Sequence, residues 1–285
     1  MKRSVSVFAI LLFLFSSSLF AQTKNAMFPE MPGMVSYTYR NSLSKDLPAT
    51  LDTLQAMGIT DMEFSSLFGH SATDIKMELD KRGMHCSSFG VGYKDLMEKT
   101  ATVGENAKAL GAEYVRVAWV PHTGAFTLEA AQQTIADFNA VGKVLKEDYG
   151  LTFCYHNHGY EFEPHGDGTL FDLIVQETNP AYVSFEMDIL WTFFPGADPA
   201  ALLTKYGDRF KLMHVKDLRK GIVGNMSGGT PTENDVTLGT GQLDLPAILR
   251  AAKKAGVKHF YIEDESPIYY QQVPKSIAYL QNLKK

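Results

Sequence analysis

Apolar and polar positions change period repeatedly along this chain, and each change carries the same punctuation. A stretch with helical spacing ends at a Gly, one to three polar residues follow, and a short β-rich run begins. The phrase occurs as Gln-Ala-Met-Gly58 before Asp61–Phe64, Asp-Lys-Arg-Gly83 before Met84–Phe89, and Lys-Ala-Leu-Gly111 before Tyr114–Trp119. It returns as Glu-Asp-Tyr-Gly150 before Leu151–His156, Lys-Tyr-Gly207 before Phe210–His214, and Lys-Lys-Ala-Gly256 before Lys258–Ile262. Asn179-Pro180 holds the same place before Tyr182–Glu186.

A glycine at that place suits the left-handed residue that ends a helix. Strands separated by helices pair in parallel, because each crossover returns the next strand in the same direction. A first strand at Met34–Tyr39 brings the count to eight. Helices are expected near Ala49–Met57, Ser71–Arg82, Tyr93–Leu110, Thr127–Glu147, Thr169–Glu177, Pro199–Tyr206, Leu243–Ala255 and Gln271–Leu283. Eight such units predict a (β/α)8 TIM barrel as one domain over residues 23–285. A doubly wound sheet would carry a phosphate-binding Gly cluster after strand one, where this chain has Arg40-Asn41-Ser42-Leu43. The least regular stretch, Arg219–Gln242, follows strand seven and reads either as a lid or substrate loop or as a surface insertion.

The first 22 residues stand outside this pattern. A basic start at Lys2-Arg3, an apolar run from Val5 to Phe15 and a small-residue exit ending at Ala21 form the three parts of a secretory signal peptide. The expectation is an exported protein, periplasmic in a Gram-negative host and free of the membrane after cleavage. With 27 Lys and Arg against 32 Asp and Glu, the net charge of −5 shows no basic footprint for nucleic acid. Cys86 and Cys154, both inside apolar runs, read as buried thiols.

The chemistry gathers where strands end. Strand five closes with Tyr155-His156-Asn157-His158, strand six with Phe185-Glu186-Met187-Asp188, strand seven with His214-Val215-Lys216-Asp217, and strand eight with Ile262-Glu263-Asp264-Glu265. Each supplies a polar i, i+2 pair on one strand face, and the C-terminal ends of barrel strands face the active site. Imidazoles and carboxylates sent to one mouth from four neighbouring strands are costly to bury unless something binds them, and a divalent metal does so.

In these phrases the sequence resembles the xylose isomerase-like TIM barrels, a family of sugar isomerases and epimerases, inosose and dehydroshikimate dehydratases, and type IV AP endonucleases. The resemblance covers about residues 30–284 and is carried by Tyr-His-Asn-His-Gly-Tyr-Glu-Phe (155–162), Glu-Met-Asp-Ile-Leu-Trp (186–191), Leu-Met-His-Val-Lys-Asp (212–217), Leu-Gly-Thr-Gly-Gln-Leu-Asp (238–244) and Tyr-Ile-Glu-Asp-Glu (261–265). It implies one divalent metal on Asp188, His214 and Glu263, with His156 where relatives carry a Glu. That departure removes one carboxylate from the pair that relatives use to move protons on opposite substrate faces.

The expected activity is metal-dependent isomerisation or epimerisation of a free, non-phosphorylated sugar or keto-sugar through an enediolate. The alternatives are a lyase or hydratase on a keto-sugar or glycal, and a non-catalytic sugar-binding protein. Glu263 is the expected ligand and base, with Glu265 able to exchange places with it if the register differs by two. His158, Glu161 and Lys216 are expected to bind or protonate substrate oxygens, and Trp119, Trp191 and Phe68 to stack on the sugar. A ligand set with His suits Mn2+, Co2+, Zn2+ or Fe2+ better than Mg2+. Self-association into a homo-oligomer is left open.

Overall fold

The computed structural model describes residues 26–285; the expected signal peptide, residues 1–22, lies outside them. Eight parallel strands close on themselves in the order β1-β8-β7-β6-β5-β4-β3-β2. They are β1 (Gly33–Val35), β2 (Asp61–Phe64), β3 (His85–Gly90), β4 (Tyr114–Val117), β5 (Thr152–His156), β6 (Val183–Asp188), β7 (Phe210–Val215) and β8 (His259–Ile262). Outside them lie α1 (Leu47–Ala56), α2 (Ala72–Asp80), α3 (Thr100–Leu110), α4 (Leu128–Tyr149), α5 (Leu170–Glu177), α6 (Pro199–Tyr206), α7 (Leu245–Ala255) and α8 (Tyr269–Asn282). Among the described residues no helix is long and apolar enough to cross a membrane.

Gly111, Gly150 and Gly256 cap α3, α4 and α7 in the left-handed region, at φ 79°, 70° and 88°. Two expectations need correction. The first strand stops at Val35, because Ser36–Tyr39 winds into a 3-10 turn whose Ser36 Oγ accepts a 2.7 Å hydrogen bond from Ser65 N, just past β2. The helix expected over Tyr93–Leu110 is two helices, Tyr93–Glu98 and α3, broken at Lys99 (φ −135°, ψ 34°).

Most of the core lies between barrel and helices. A smaller cluster fills the barrel itself: Val35, Tyr114, Cys154, Leu212 and Tyr261, one residue from each of five strands. Cys86 and Cys154 are buried and unpaired. Below this plug, at the N-terminal end of the strands, a polar layer is fully engaged. Ser87 Oγ bridges Asp61 (2.5 Å) and the Tyr261 hydroxyl (2.6 Å), and His259 Nδ1 donates to the other oxygen of Asp61 at 2.8 Å. Gly33 makes room for it, since a Cβ there would lie 2.7 Å from the Tyr261 ring.

One local irregularity sets up what lies above. Pairing of β2 with β3 shifts register after Met62, so that Glu63 faces Ser88 rather than Ser87. The extra residue of this bulge lets two successive serines reach inward, Ser87 to Asp61 in the lower layer and Ser88 to Glu63 in the upper one (2.6 Å).

Candidate active site

Two residues beyond the plug on β5, β7 and β8, and at the end of β6, the chain brings His156, His214, Glu263 and Asp188 together. All four are buried, and one ligand atom from each lies within 4.8 Å of the others. His214 Nδ1 stands at the centre, 3.1 Å from His156 Nε2, 3.0 Å from Glu263 Oε2 and 3.8 Å from Asp188 Oδ2. Asn157 sets the β5–β6 side of this group: its carbonyl accepts from Asp188 N (3.1 Å), and its amide donates to Thr192 Oγ1 (3.1 Å). Asp188 is also the N-cap of the short helix Ile189–Phe193, Oδ1 accepting from Trp191 N at 2.9 Å. Capping fixes that carboxylate and aims Oδ2 into the cluster.

The donor set fits a divalent transition metal. Asp188 Oδ2 is buried without a hydrogen-bond partner, a state that normally costs a native fold dearly. Burial, reinforced by neighbouring cationic groups, holds His156 well below the ordinary imidazole range, so it presents a neutral lone pair. Burial works against charge on Glu263, but Lys216 and His214 outweigh it and keep that carboxylate ionised. Two imidazoles and two carboxylates in this spacing make a site for Zn2+, Mn2+, Co2+ or Fe2+.

Beneath His214 lies a second group, of which strand-end reasoning named Glu186 but missed Glu63 and Arg116. His214 Nε2 donates to Glu63 Oε1 at 2.8 Å, and Arg116 holds the same oxygen through Nε (3.0 Å) and Nη2. Glu186 sits 3.2 Å from Arg116 Nε and 3.3 Å from His214 Nε2, with neither carboxylate oxygen hydrogen-bonded. Burial and the charge of Glu63 push Glu186 well above the ordinary carboxylate range, whereas Arg116 and His214 overcome burial at Glu63 and hold it below that range. These residues stand mid-strand in Asp-Met-Glu-Phe and Tyr-Val-Arg-Val. A charge between apolar neighbours in a four-residue strand was the signal available.

Above the cluster opens a chamber of about 670 Å3, with His156, His214 and Glu263 among the residues lining it. His158 lines one wall and stacks on Trp191, ring centroids 5.6 Å apart. Trp119, 42% exposed, stands at the mouth, held by stacking on His122 (5.2 Å) and by the edge of Tyr160 (4.7 Å). Lys216 lies under the Trp191 ring (5.6 Å), 2.7 Å from Glu265 and 3.1 Å from Glu263. The register question is thereby resolved: Glu263 joins the cluster, and Glu265 pairs with Lys216.

Three expected substrate contacts do not line the chamber: Lys216, buried beneath Trp191 among Asp235, Glu263 and Glu265, together with Glu161 and Phe68. Glu161 is fully buried in the other direction, accepting from His158 N (2.9 Å), Gly159 N (2.7 Å) and the Tyr155 hydroxyl, which makes it a clamp on the turn after β5. Phe68 takes a left-handed backbone (φ 50°) and turns its ring toward Phe64, 6.4 Å away in the barrel wall.

The irregular stretch after β7 crosses the mouth. Asp217 gathers its far end, accepting from Gly239 N, Gly241 N and Leu243 N at 2.8–3.2 Å. Arg219 N donates to Asn234 O at 2.8 Å and closes the near end. Between these ties, Gly228, Gly229, Thr230 and Thr232 line the chamber. Gly228 lands on the aromatic wall, where a Cβ would lie 2.8 Å from Tyr160 and 3.3 Å from Trp119.

Residues 51–283 match the family model of the xylose isomerase-like TIM barrel. The chain belongs to that family. Among solved structures, a sugar phosphate isomerase/epimerase from Parabacteroides distasonis is 26% identical, with a TM-score of 0.71 over 89% of this chain and 94% of that one. An IolI protein solved with a bound zinc atom is 18% identical and shows the same fold, with a TM-score of 0.69 over 88% of this chain and 95% of that one. An inosose dehydratase from Halalkalibacterium halodurans is 37% identical over 87 residues, 30% of this chain and 27% of that enzyme. A second, from Geobacillus kaustophilus, is 23% identical over 61% of this chain and 62% of the enzyme. The matches thus span from about a quarter to under two thirds of the curated dehydratases.

Proposed function

We propose that this family member is an exported, divalent-metal-dependent lyase or hydratase that removes or adds water next to the carbonyl of a non-phosphorylated keto-sugar. The observation that carries the reading is the asymmetry of the chamber floor. Glu263 presents a carboxylate on one side, and His156 and His158 present neutral imidazoles on the other. Similarity to inosose dehydratases points the same way.

His156, Asp188, His214 and Glu263 would hold the metal; the zinc atom of the IolI relative supports a metal of that class. When bound, it would polarise a substrate carbonyl and stabilise charge developing on its oxygen. Glu263, kept ionised by Lys216 and His214, is the group suited to take the proton from the adjacent carbon. His158 lines the chamber and is the imidazole suited to bind the hydroxyl that leaves or enters. Trp191 and Trp119 would bracket the ring, and Gly228–Thr232 would shield it from bulk water.

The basic side chains that line the chamber among the described residues suit a non-phosphorylated substrate. The Lys and Arg residues lining the chamber are Lys94 and Arg116, and Arg116 is engaged by Glu63 and Glu186. Export, resting on residues 1–22, fits the same substrate class. A second reading, isomerase or epimerase, is favoured by the Parabacteroides relative.

The test supplies non-phosphorylated keto-sugars to metal-loaded protein in D2O, with products followed by NMR and mass spectrometry. Loss or gain of one water supports the proposal. Deuterium uptake at unchanged composition moves the assignment to isomerase or epimerase, and sugar binding without either outcome leaves a binding protein.

A further inference from the structure

The barrel interior buries a Glu–Arg pair that meets the four clustered side chains through one hydrogen bond, from His214 to Glu63. Glu63 is fully buried, Arg116 nearly so, and the pair lies between β2 and β4. Burying an ion pair in a barrel is weak evidence for stability, because apolar residues of similar volume usually serve as well. Its geometry indicates another use. Glu63 Oε2 accepts from Ser88 Oγ (2.6 Å), and Oε1 takes the Arg116 guanidinium, which fixes the carboxylate from two sides. Gly90 on β3 leaves the space: a Cβ there would lie 3.0 Å from the guanidinium carbon. Glu63 Oε1 also accepts from His214 Nε2, at 2.8 Å, with Glu186 beside both.

An imidazole has two nitrogens on opposite sides of the ring, and the hydrogen bond made by one decides what the other offers. Without a metal, His214 Nδ1 donates to Glu263 Oε2 at 3.0 Å; with Nε2–H committed to Glu63, Nδ1, the atom surrounded by His156, Asp188 and Glu263, is the nitrogen that would give up its proton and offer a lone pair when a metal binds. We propose that Glu63, braced by Arg116 and Ser88, is a positioning residue that fixes the tautomer and ring orientation of His214 so that Nδ1 faces the metal. This rests on the metal reading above and adds to it that affinity is set one layer below the ligands, by strands β2, β3 and β4. Carboxylates in this role elsewhere change metal affinity ~10–100-fold when removed.

The test uses the full mature chain, labelled with 15N-histidine, and Zn2+ as the probe. Affinity is measured by competition with a chromophoric chelator, and the His214 tautomer by long-range 1H–15N spectra assigned with His214→Gln. Wild type should show a slowly exchanging Nε2–H in the Zn2+-loaded state. Glu63→Gln keeps an acceptor and should stay within ~10-fold of wild-type affinity with the signal retained. Glu63→Leu should bind ~10–100-fold more weakly and lose protection of that proton. Glu63→Asp keeps the charge for Arg116 but falls one methylene short of His214, so it should show the same loss should the Leu variant fail to fold. Wild-type affinity and a protected Nε2–H in Glu63→Leu or Glu63→Asp overturn the proposal while leaving the metal reading intact. A wild type that binds no Zn2+, Mn2+ or Co2+ overturns both.

Discussion

The barrel interior holds two polar layers, and they are opposites. In the lower one, Asp61, Ser87, Tyr261 and His259 satisfy one another, Asp61 using both oxygens and Ser87 bridging two partners. In the upper one, on β5 and β6 and just past β5, Asp188 Oδ2, His156 Nδ1, His158 Nδ1 and both Glu186 oxygens are buried without a hydrogen bond. Composition alone does not separate them, since each mixes His with carboxylates. What separates them is closure. A complete network rigidifies a fold, whereas buried polar atoms left without partners mark a place built around something else. The barrel thus divides its polar interior into an end that closes the structure and an end that awaits a ligand.

The sharpest way to break this distinction is to remove an upper-layer ligand. Asp188→Ala should abolish binding of one metal per chain, a loss beyond the ~10–100-fold typical one shell further out. Thermal stability of the metal-free protein should fall only by the lost cap on Trp191 N, about 1 kcal/mol, because the orphaned Oδ2 contributes no hydrogen bond to lose. Metal analysis and circular dichroism on the same sample decide it. A variant that unfolds outright, or retains its metal, would place Asp188 with the closed layer instead.

Glu161 sharpens the comparison from the side, since it lies near the site but is partnered like the lower layer. Burial lifts its carboxyl to about 7, outweighing the hydrogen bonds from Tyr155, His158 and Gly159 that favour the anion. The unfolded chain titrates near ~4.3, so the folded state binds this proton more tightly. The resulting stabilisation is complete below ~pH 4 and is lost as pH rises through about 7, roughly 4 kcal/mol in all. Glu161→Gln should therefore flatten the fall in Tm between pH 4.5 and 7.5 relative to wild type, with metal content unchanged. An identical pH slope in the variant would show that the carboxyl does not titrate in this window.

How much of this was legible beforehand follows from where each residue stands. The Gly-ended helices are written in local pattern, so eight βα units could be counted without any long-range knowledge. His156, Asp188, His214 and Glu263 could be proposed as neighbours because strand ends converge in a barrel whatever the details, and the structure brings them together. Glu63, Arg116 and Ser88 were hidden for a different reason. They act from mid-strand, and Ser88 reaches Glu63 only because the β2–β3 register shifts by one residue, which no periodicity reports. Glu161 and Phe68 show the converse limit: lying just past a strand end places a backbone near the site, but the turn geometry decides which way the side chain points.

The smallest expected effect tests the closed layer directly. Tyr261→Phe removes the hydroxyl that meets Ser87 Oγ at 2.6 Å but keeps the ring that fills the barrel plug. Ser87 retains Asp61 as a partner, so no buried donor is stranded and the cost is that of one hydrogen bond, about 1 kcal/mol. Zn2+ affinity should be unchanged, because the affected contact lies on the far side of the plug from His214. A stability change with constant affinity establishes that the two layers are energetically separate. A drop in affinity as large as that of Glu63→Leu would mean that the plug transmits strain between them, and the barrel would then be one coupled network rather than two.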